Sequence, residues 1–393
     1  MSRRVFLHQP ACEQALAEVL IGRSLDAGAR QPVTLTHPDL WLAEGPEAGA
    51  LPSLGPPSGP AQTRPGVSGC WLALTGAELR RLDRYMAYQG AHRGDLPAGV
   101  AADNAQAYSR DSQAGQGKAA RLTPWDPKDW TPRQTEIARH AAQEILDLDP
   151  DRQPPSDPED RLGNILVRAA ATERAMRSTR TDHSIGPGRE TVETRNHHVT
   201  HDGFFQTRTL SLRLPKFEGG TSDWMERETF MAADAVTVLP YDPLRDRVLL
   251  AEQFRASLYL RGETYPWSIE PLAGRIDPGE QAETAARREA REEAELDLGT
   301  MERIGGYYPA TGTTTEYIVS YLALADLPDE AAGFGGEEAE GEDIRAFLLS
   351  FDQAMALLQQ DQTRNAPLMI SLFWLATRRD ALRTQAAAGE GAA

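Results

Sequence analysis

Cysteine is scarce in this chain of 393 residues, occurring only as Cys12 and Cys70. Two thiols cannot make a disulfide framework, so packed cores must hold the fold, and a reducing, cytoplasmic compartment is expected. Long apolar runs are missing as well. Arg3 and Arg4 stand near the start, but Glu13 and Glu18 interrupt the apolar stretch behind them. Neither a signal peptide nor a membrane-spanning helix is therefore expected. Positive charge is outnumbered: 41 Lys and Arg face 58 Asp and Glu, for a formal charge of −17. That balance argues against nucleic acid or an anionic membrane surface as a partner. It leaves a phosphate-bearing substrate open, because bound cations dominate the field of such a site. A Walker-type loop, a dinucleotide-binding fingerprint and a nucleophile elbow are also lacking.

What is present suffices for two packed cores: the length exceeds what one core usually serves, and 40% of residues are apolar. The fold class expected is α+β in two domains. Residues 1–148 make the N-terminal one. There Val5-Phe6-Leu7 predicts a strand, Ala11 to Ile21 an amphipathic helix closed by Gly22, and Cys70 to Leu74 another strand. Residues 45–69, rich in Gly, Pro and Ser, predict loop. Thr75 and Glu78 have capping-box spacing before a helix with Leu79, Leu82, Tyr85 and Met86 on one face. Pro132 opens a further helix that runs to Leu148. Residues 149–190 are polar, hold Pro154-Pro155 and Gly186-Pro187-Gly188, and predict a linker with one helix at 161–177. Residues 191–384 make the second domain. Its strands are Phe205 to Leu214, Ala235 to Leu239, Arg247 to Leu250, Ile304 to Tyr308, Tyr317 to Ala325 and Ile344 to Leu349. Two helices, 351–360 and 366–383, follow, and 385–393 predicts a disordered tail.

The chemistry concentrates between two of those strands. Gly274, Glu280, Arg288, Glu289, Glu292 and Glu293 follow the spacing G-x5-E-x7-R-E-x-x-E-E. Glu289, Glu292 and Glu293 stand at i, i+3 and i+4, so a helix gathers them on one face. Like charges that close destabilise an isolated helix, and a cation between them reverses the sign. Mg²⁺ prefers carboxylate oxygens and keeps substrate phosphates as further ligands; Mn²⁺ is the alternative ion. A merely solvated acidic helix would not need Gly274, Glu280 and Arg288 at fixed offsets too.

This pattern resembles the Nudix box, G-x5-E-x7-R-E-U-x-E-E-x-G-U, where U is bulky and apolar. Ala290 is smaller than the usual U, and Glu295 replaces the second Gly. Either Glu295 closes the helix with positive φ, at a cost of roughly 1 kcal/mol, or the helix runs on to Gly299. The resemblance extends across 191–384 and is nearest the ADP-ribose pyrophosphatase branch, which includes bacterial forms associated with tellurite resistance. It implies an α/β/α sandwich with Glu289, Glu292, Glu293 and the Ala273 carbonyl as metal ligands. It further implies that Arg227, Arg255, Glu270 and Glu316 bind substrate, while Gly274, Glu280 and Arg288 shape the box. The general base it suggests is Glu340, with Glu293 as runner-up. A homodimer is implied as well, with Arg227 acting across the interface.

The reaction implied is Mg²⁺-dependent hydrolysis of a nucleoside diphosphate sugar, above all ADP-ribose to AMP and ribose 5-phosphate. Thr311 takes the position where ADP-ribose enzymes often carry Pro, which keeps UDP- and GDP-sugars open. A nucleotide-sugar sensor that binds without turnover is the competing class. His197, His198 and His201 lack a carboxylate or Cys partner at metal-ligand spacing and predict strand. The first 130 residues resemble a γ-glutamylcyclotransferase-like domain, which implies a small barrel-like α/β fold. His8-Gln9-Pro10-Ala11 replaces that family's substrate loop, Pro10 has no amide hydrogen to donate, and Met86 replaces its catalytic Glu. No cyclotransferase activity is expected.

Overall fold

The computed structural model describes residues 3–26, 28–35, 42–43, 53–54, 67–96, 105–109, 130–148, 158–178, 188–336 and 341–390. Most of the loop predicted at 45–69, Pro154-Pro155 and Gly186-Pro187 lie outside them. The chain forms two compact units, Met1–Ala232 and Ala233–Ala393.

In the first unit the order is β1 Arg3–His8, α1 Gln14–Ile21, β2 Gln31–Leu35, β3 Leu42–Ala43, β4 Ser53–Leu54, β5 Val67–Leu74, α2 Gly76–Tyr88, β6 His92–Asp95 and β7 Gln106–Ser109. The helices α3 Pro132–Asp147 and α4 Pro158–Arg177 follow, then β8 Glu193–Asp202, β9 Gln206–Arg213 and β10 Met225–Met231. One sheet has the order β2-β5-β1-β7-β4-β3, with β6 on β7. Its end strands β2 and β3 are not paired with each other among the described residues, so the barrel-like closure is not seen there. Val5, Phe6 and Leu7 are all buried because β1 is central, antiparallel to β5 and parallel to β7. Thr75 and Glu78 close the capping box that starts α2, and Thr131 with Gln134 closes another at α3. Leu79, Leu82, Tyr85 and Met86 all point into the core.

Two expected boundaries differ. The segment expected as a linker, 149–190, supplies α4, whose Leu162, Ile165, Leu166, Ala169 and Ala170 lie in the first unit's core. The three-stranded sheet β10-β9-β8, expected in the C-terminal domain, belongs to the first unit. The physical reason is a buried ion network. Glu144 on α3 accepts from Arg168 on α4 at 2.6 Å and from Arg208 on β9 at 2.8 Å. Arg161 on α4 pairs with Asp202 on β8. In sequence these arginines look solvated; in the fold Arg168 and Arg208 share the buried Glu144, and Arg161 meets the partly buried Asp202.

The second unit is a sandwich. Its strands are β11 Ala235–Asp242, β12 Arg247–Phe254, β13 Trp267–Glu270, β14 Leu272–Arg275, β15 Met301–Tyr307, β16 Ile318–Leu324, β17 Gly333–Gly335 and β18 Ile344–Ser350. Its helices are α5 Ala256–Arg261, α6 Ala282–Ala294, α7 Phe351–Gln359 and α8 Ala366–Glu390. The sheet order is β15-β16-β11-β12-β18-β17, with β13 on β12 and β14 on β11. β11 and β16 are parallel neighbours, Ala235 opposite Ile318. Alternation along β11 and β12 divides the core. Val236, Val238 and Leu249 pack with Ala285, Ala286 and Ala290 of α6. Leu239, Tyr241 and Leu250 pack with Leu368, Leu372 and Leu375 of α8 on the other face. α8 runs on to Glu390, through much of the stretch predicted as a disordered tail; 391–393 lie outside the described residues.

Candidate catalytic site

Strand β14 and helix α6 build the site together. Antiparallel pairing sets Ala273 opposite Thr237 and Gly274 opposite Val236. The small side chains Ala285, Ala286 and Ala290 let α6 lie close on the sheet, and Ala290, where the box usually has a bulky residue, is fully buried. Of the two helix endings open in the sequence, the structure takes the first. Glu295 caps α6 at φ 50°, and Leu296 N–H reaches back to the Ala290 carbonyl at 3.0 Å. Gly299 instead donates to the Leu324 carbonyl at 2.8 Å.

The carboxylates then fall into place. Glu289 lies directly over Gly274: a Cβ there would sit 1.9 Å from its Oε1. Glu293 is 2% exposed and accepts the Ala273 N–H at 3.0 Å. Arg288 donates to Glu289 and Glu292 at 2.8 Å each, to Glu280 at 3.2 and 3.3 Å, and to the Arg275 carbonyl at 2.9 Å. It therefore ties the helix to the β14 turn. Burial pushes the Glu289 carboxyl up to about 7, against the pull of Arg288. Burial pushes Glu293 up to about 8; the Ala273 N–H opposes this and the Glu289 charge adds to it. Both raised values mean that ionising the pair costs folding free energy as pH rises, unless a cation compensates. No three carboxylates yet converge on one point among the described residues, since Arg288 draws two aside. The donor set, all hard oxygens around a side-chain-free position at Gly274, fits a divalent ion.

The other predicted residues divide. Arg255, just past β12, forms a two-pronged pair with buried Glu270 at 3.0 and 2.6 Å. Glu316 precedes β16; burial raises its carboxyl, while Arg255 opposes and Asp234 adds to the shift. Arg255, Glu270, Glu293 and Glu316 thus share one electrostatic environment. Arg227 belongs to the first unit, on β10 opposite Leu210, donating to the Glu226 carbonyl at 2.8 Å. Glu340 lies outside the described residues. The strand before it docks on the end of α6: a Cβ at Gly335 would sit 2.0 Å from the Glu293 carbonyl oxygen, and Gly336 N–H donates to the Glu292 carbonyl at 3.2 Å. His197 lies on β8 with Nδ1 4.0 Å from Asp147. Sequence reasoning missed Asp234 and Glu342. Glu342 adds negative potential at Glu289, Glu293 and Arg255. Its only signal was a place in the Glu340-Gly341-Glu342 run, where offsets do not separate two acids.

Residues 231–372 match the model of the NUDIX domain. The ADP-ribose pyrophosphatase of Escherichia coli K12 is 35% identical over 198 residues, which are 50% of this chain and 94% of that protein. The Haemophilus influenzae protein of the same name is 29% identical over 186 residues, 47% of this chain and 85% of its own. The GDP-mannose pyrophosphatase of Salmonella choleraesuis is 29% identical over 180 residues, 46% of this chain and 92% of its own. A crystal structure of an ADP compounds hydrolase aligns with 48% of this chain and 96% of its own, at 18% identity and a TM-score of 0.38.

Proposed function

The chain belongs to the Nudix family, and from that premise we propose that this pyrophosphohydrolase splits ADP-ribose into AMP and ribose 5-phosphate. The observation that carries the reading is the pair of carboxylates, partly buried Glu289 and buried Glu293, raised toward neutral pH beside Gly274. A site that costs free energy when it ionises is one that a divalent cation stabilises. Glu289, Glu292, Glu293 and the Ala273 carbonyl would hold Mg²⁺ or Mn²⁺. Once bound, the ion would neutralise diphosphate oxygens and lower the pKa of a water. Arg255 would position a phosphate or ribose with its forked donors, held in aim by Glu270. Glu316 would face the site and contact substrate. Glu340 would take the proton of the attacking water, with Glu293 as the alternative base. Arg288 would keep the carboxylates in register with the Gly274 turn.

Relatives named for ADP-ribose and for GDP-mannose both match this chain, and Thr311 removes one ADP-ribose hallmark, so a GDP- or UDP-sugar is the second reading. The test incubates purified full chain with ADP-ribose, GDP-mannose or a UDP-sugar in Mg²⁺, beside Glu293→Gln, with products separated by chromatography. AMP and ribose 5-phosphate from wild type alone support the proposal. GMP from GDP-mannose at a higher kcat/KM shifts it to the second reading. Tight ADP-ribose binding without turnover of any substrate replaces it with a sensor. Comparing Glu340→Gln with Glu293→Gln separates the two bases: loss of rate with Mg²⁺ binding intact identifies the proton acceptor.

The first unit is read as a cyclotransferase-like domain without that activity, since Met86 is buried in the core and Pro10 lacks an amide hydrogen. A homodimer with Arg227 at its interface, a cytoplasmic location and a tellurite link complete the reading. Light scattering of wild type and Arg227→Ala tests the first of these.

A further inference from the structure

The two cysteines are far apart in sequence and adjacent in the first unit. After β1 the chain turns, and Cys12 N–H bonds the His8 carbonyl at 3.1 Å, bringing the chain back over the strand it has left. Cys70 lies on β5, opposite Leu7 of β1 and Pro32 of β2. There the two thiols lie in one core cluster, each the largest influence on the other's ionisation. Both sit in one apolar core; Cys12 is 8% exposed and Cys70 3%, so a small solute reaches Cys12 first. Arg30 is the neighbouring cation, its guanidinium donating to the Cys12 carbonyl at 2.9 Å. The hydrogen bond from Cys70 holds the Cys12 thiol below the ordinary thiol range; burial and Glu13 oppose this, and the Arg30 charge assists. Cys70, as the donor and by burial, is pushed up. A guanidinium beside the pair disfavours a bound metal cation. It favours a thiolate attacking an oxidant that leaves as an anion.

We propose that Cys12 and Cys70 form a reversible oxidation site for a peroxide, with Cys12 as nucleophile and Cys70 as resolving thiol. The Cys12 thiolate attacks one oxygen of hydrogen peroxide, the O–O bond breaks, and hydroxide leaves with the proton Cys12 had shed, as water. Cys12 is then a sulfenic acid. Cys70 attacks its sulfur, an S–S bond forms, and the S–O bond breaks. The Cys70 proton leaves with the hydroxyl as a second water. The two thiols are oxidised and the peroxide is reduced; a thiol reductant reverses the change.

The test treats folded full-length protein with hydrogen peroxide, removes it with catalase, alkylates under denaturing conditions and maps peptides without reduction. The expected result is a Cys12–Cys70 linked peptide that dithiothreitol abolishes, with a higher melting temperature for the oxidised form. In Cys70→Ser, dimedone labels Cys12; in Cys12→Ser, Cys70 stays unlabelled. Full alkylation of both thiols in peroxide-treated wild type, cross-links only between molecules, or dimedone on Cys70 in Cys12→Ser would each overturn the assignment. The wild-type map requires no variant to fold.

Discussion

Each unit buries glutamates, and Glu144 and Glu293 are treated in opposite ways. Glu144 in the first unit is 6% exposed and accepts from Arg168, Arg208 and Gln206. Glu293 in the second is 2% exposed and accepts one backbone N–H, with Glu289 and Glu342 as unfavourable neighbours. The chain itself satisfies the first carboxylate. It leaves the second short of positive charge, which is what a site that binds a cation requires. Burial of charge therefore identifies function only when the compensation is incomplete.

The contrast can be broken by exchange. Glu293→Gln should lower hydrolysis at least about a hundred-fold, since even outer-shell losses at metal sites cost up to about that much. The same variant should melt no lower than wild type without metal and lose the rise in melting temperature that Mg²⁺ gives wild type. A lower melting temperature with Mg²⁺ protection retained would show Glu293 to be structural. Arg168→Met should do the reverse. Leaving Glu144 partly unpaired costs roughly 3–5 kcal/mol in urea unfolding, with turnover per folded molecule unchanged; a fall in turnover without loss of stability would remove the distinction.

Asp246 sharpens the comparison within the second unit, as a carboxylate that is fully paired. Arg379 first, then Tyr241 and Arg383, hold it at about 2 against an ordinary 3.8. A depressed folded value means this stabilisation is complete above 3.8 and lost as pH falls through about 2. Asp246→Asn should flatten that part of the pH–stability curve, and Asn tolerates the φ of 56° there. An unchanged acid limb in thermal melts would count against the pairing. The smallest effect is expected at Glu295, whose φ of 50° favours glycine. Glu295→Gly should raise stability by about 1 kcal/mol without changing activity, read from denaturant midpoints.

Much of the site was legible because its spacing matches the helix: Glu289, Glu292 and Glu293 fall on one face, and Gly274 lies under Glu289. The capping box at Thr75 was equally local. What could not be read was non-local. Nothing periodic marks Arg161 and Arg168 as buried, so α4 looked like linker and β8–β10 looked like part of the next domain. The ending at Glu295 depended on whether Leu296 would find a core to enter, which it does. Asp234 and Glu342 acquire meaning only from the neighbours that folding brings to them.

One piece of topology bears on how this enzyme can change. β11 and β16 lie side by side and parallel, with Ala235 against Ile318 and a hydrogen bond from Ala235 N–H to the Tyr317 carbonyl at 3.0 Å. Arg255, Glu270, the whole box and Glu316 lie on the single excursion between those two points. Its ends are fastened together in the middle of the sheet, so the connections within it can lengthen, shorten or exchange side chains while its strands β11 to β15, the entry and the exit stay where they are. Substrate preference can therefore drift in those connections, where Arg255 and Glu316 stand, at little cost to the strands they join.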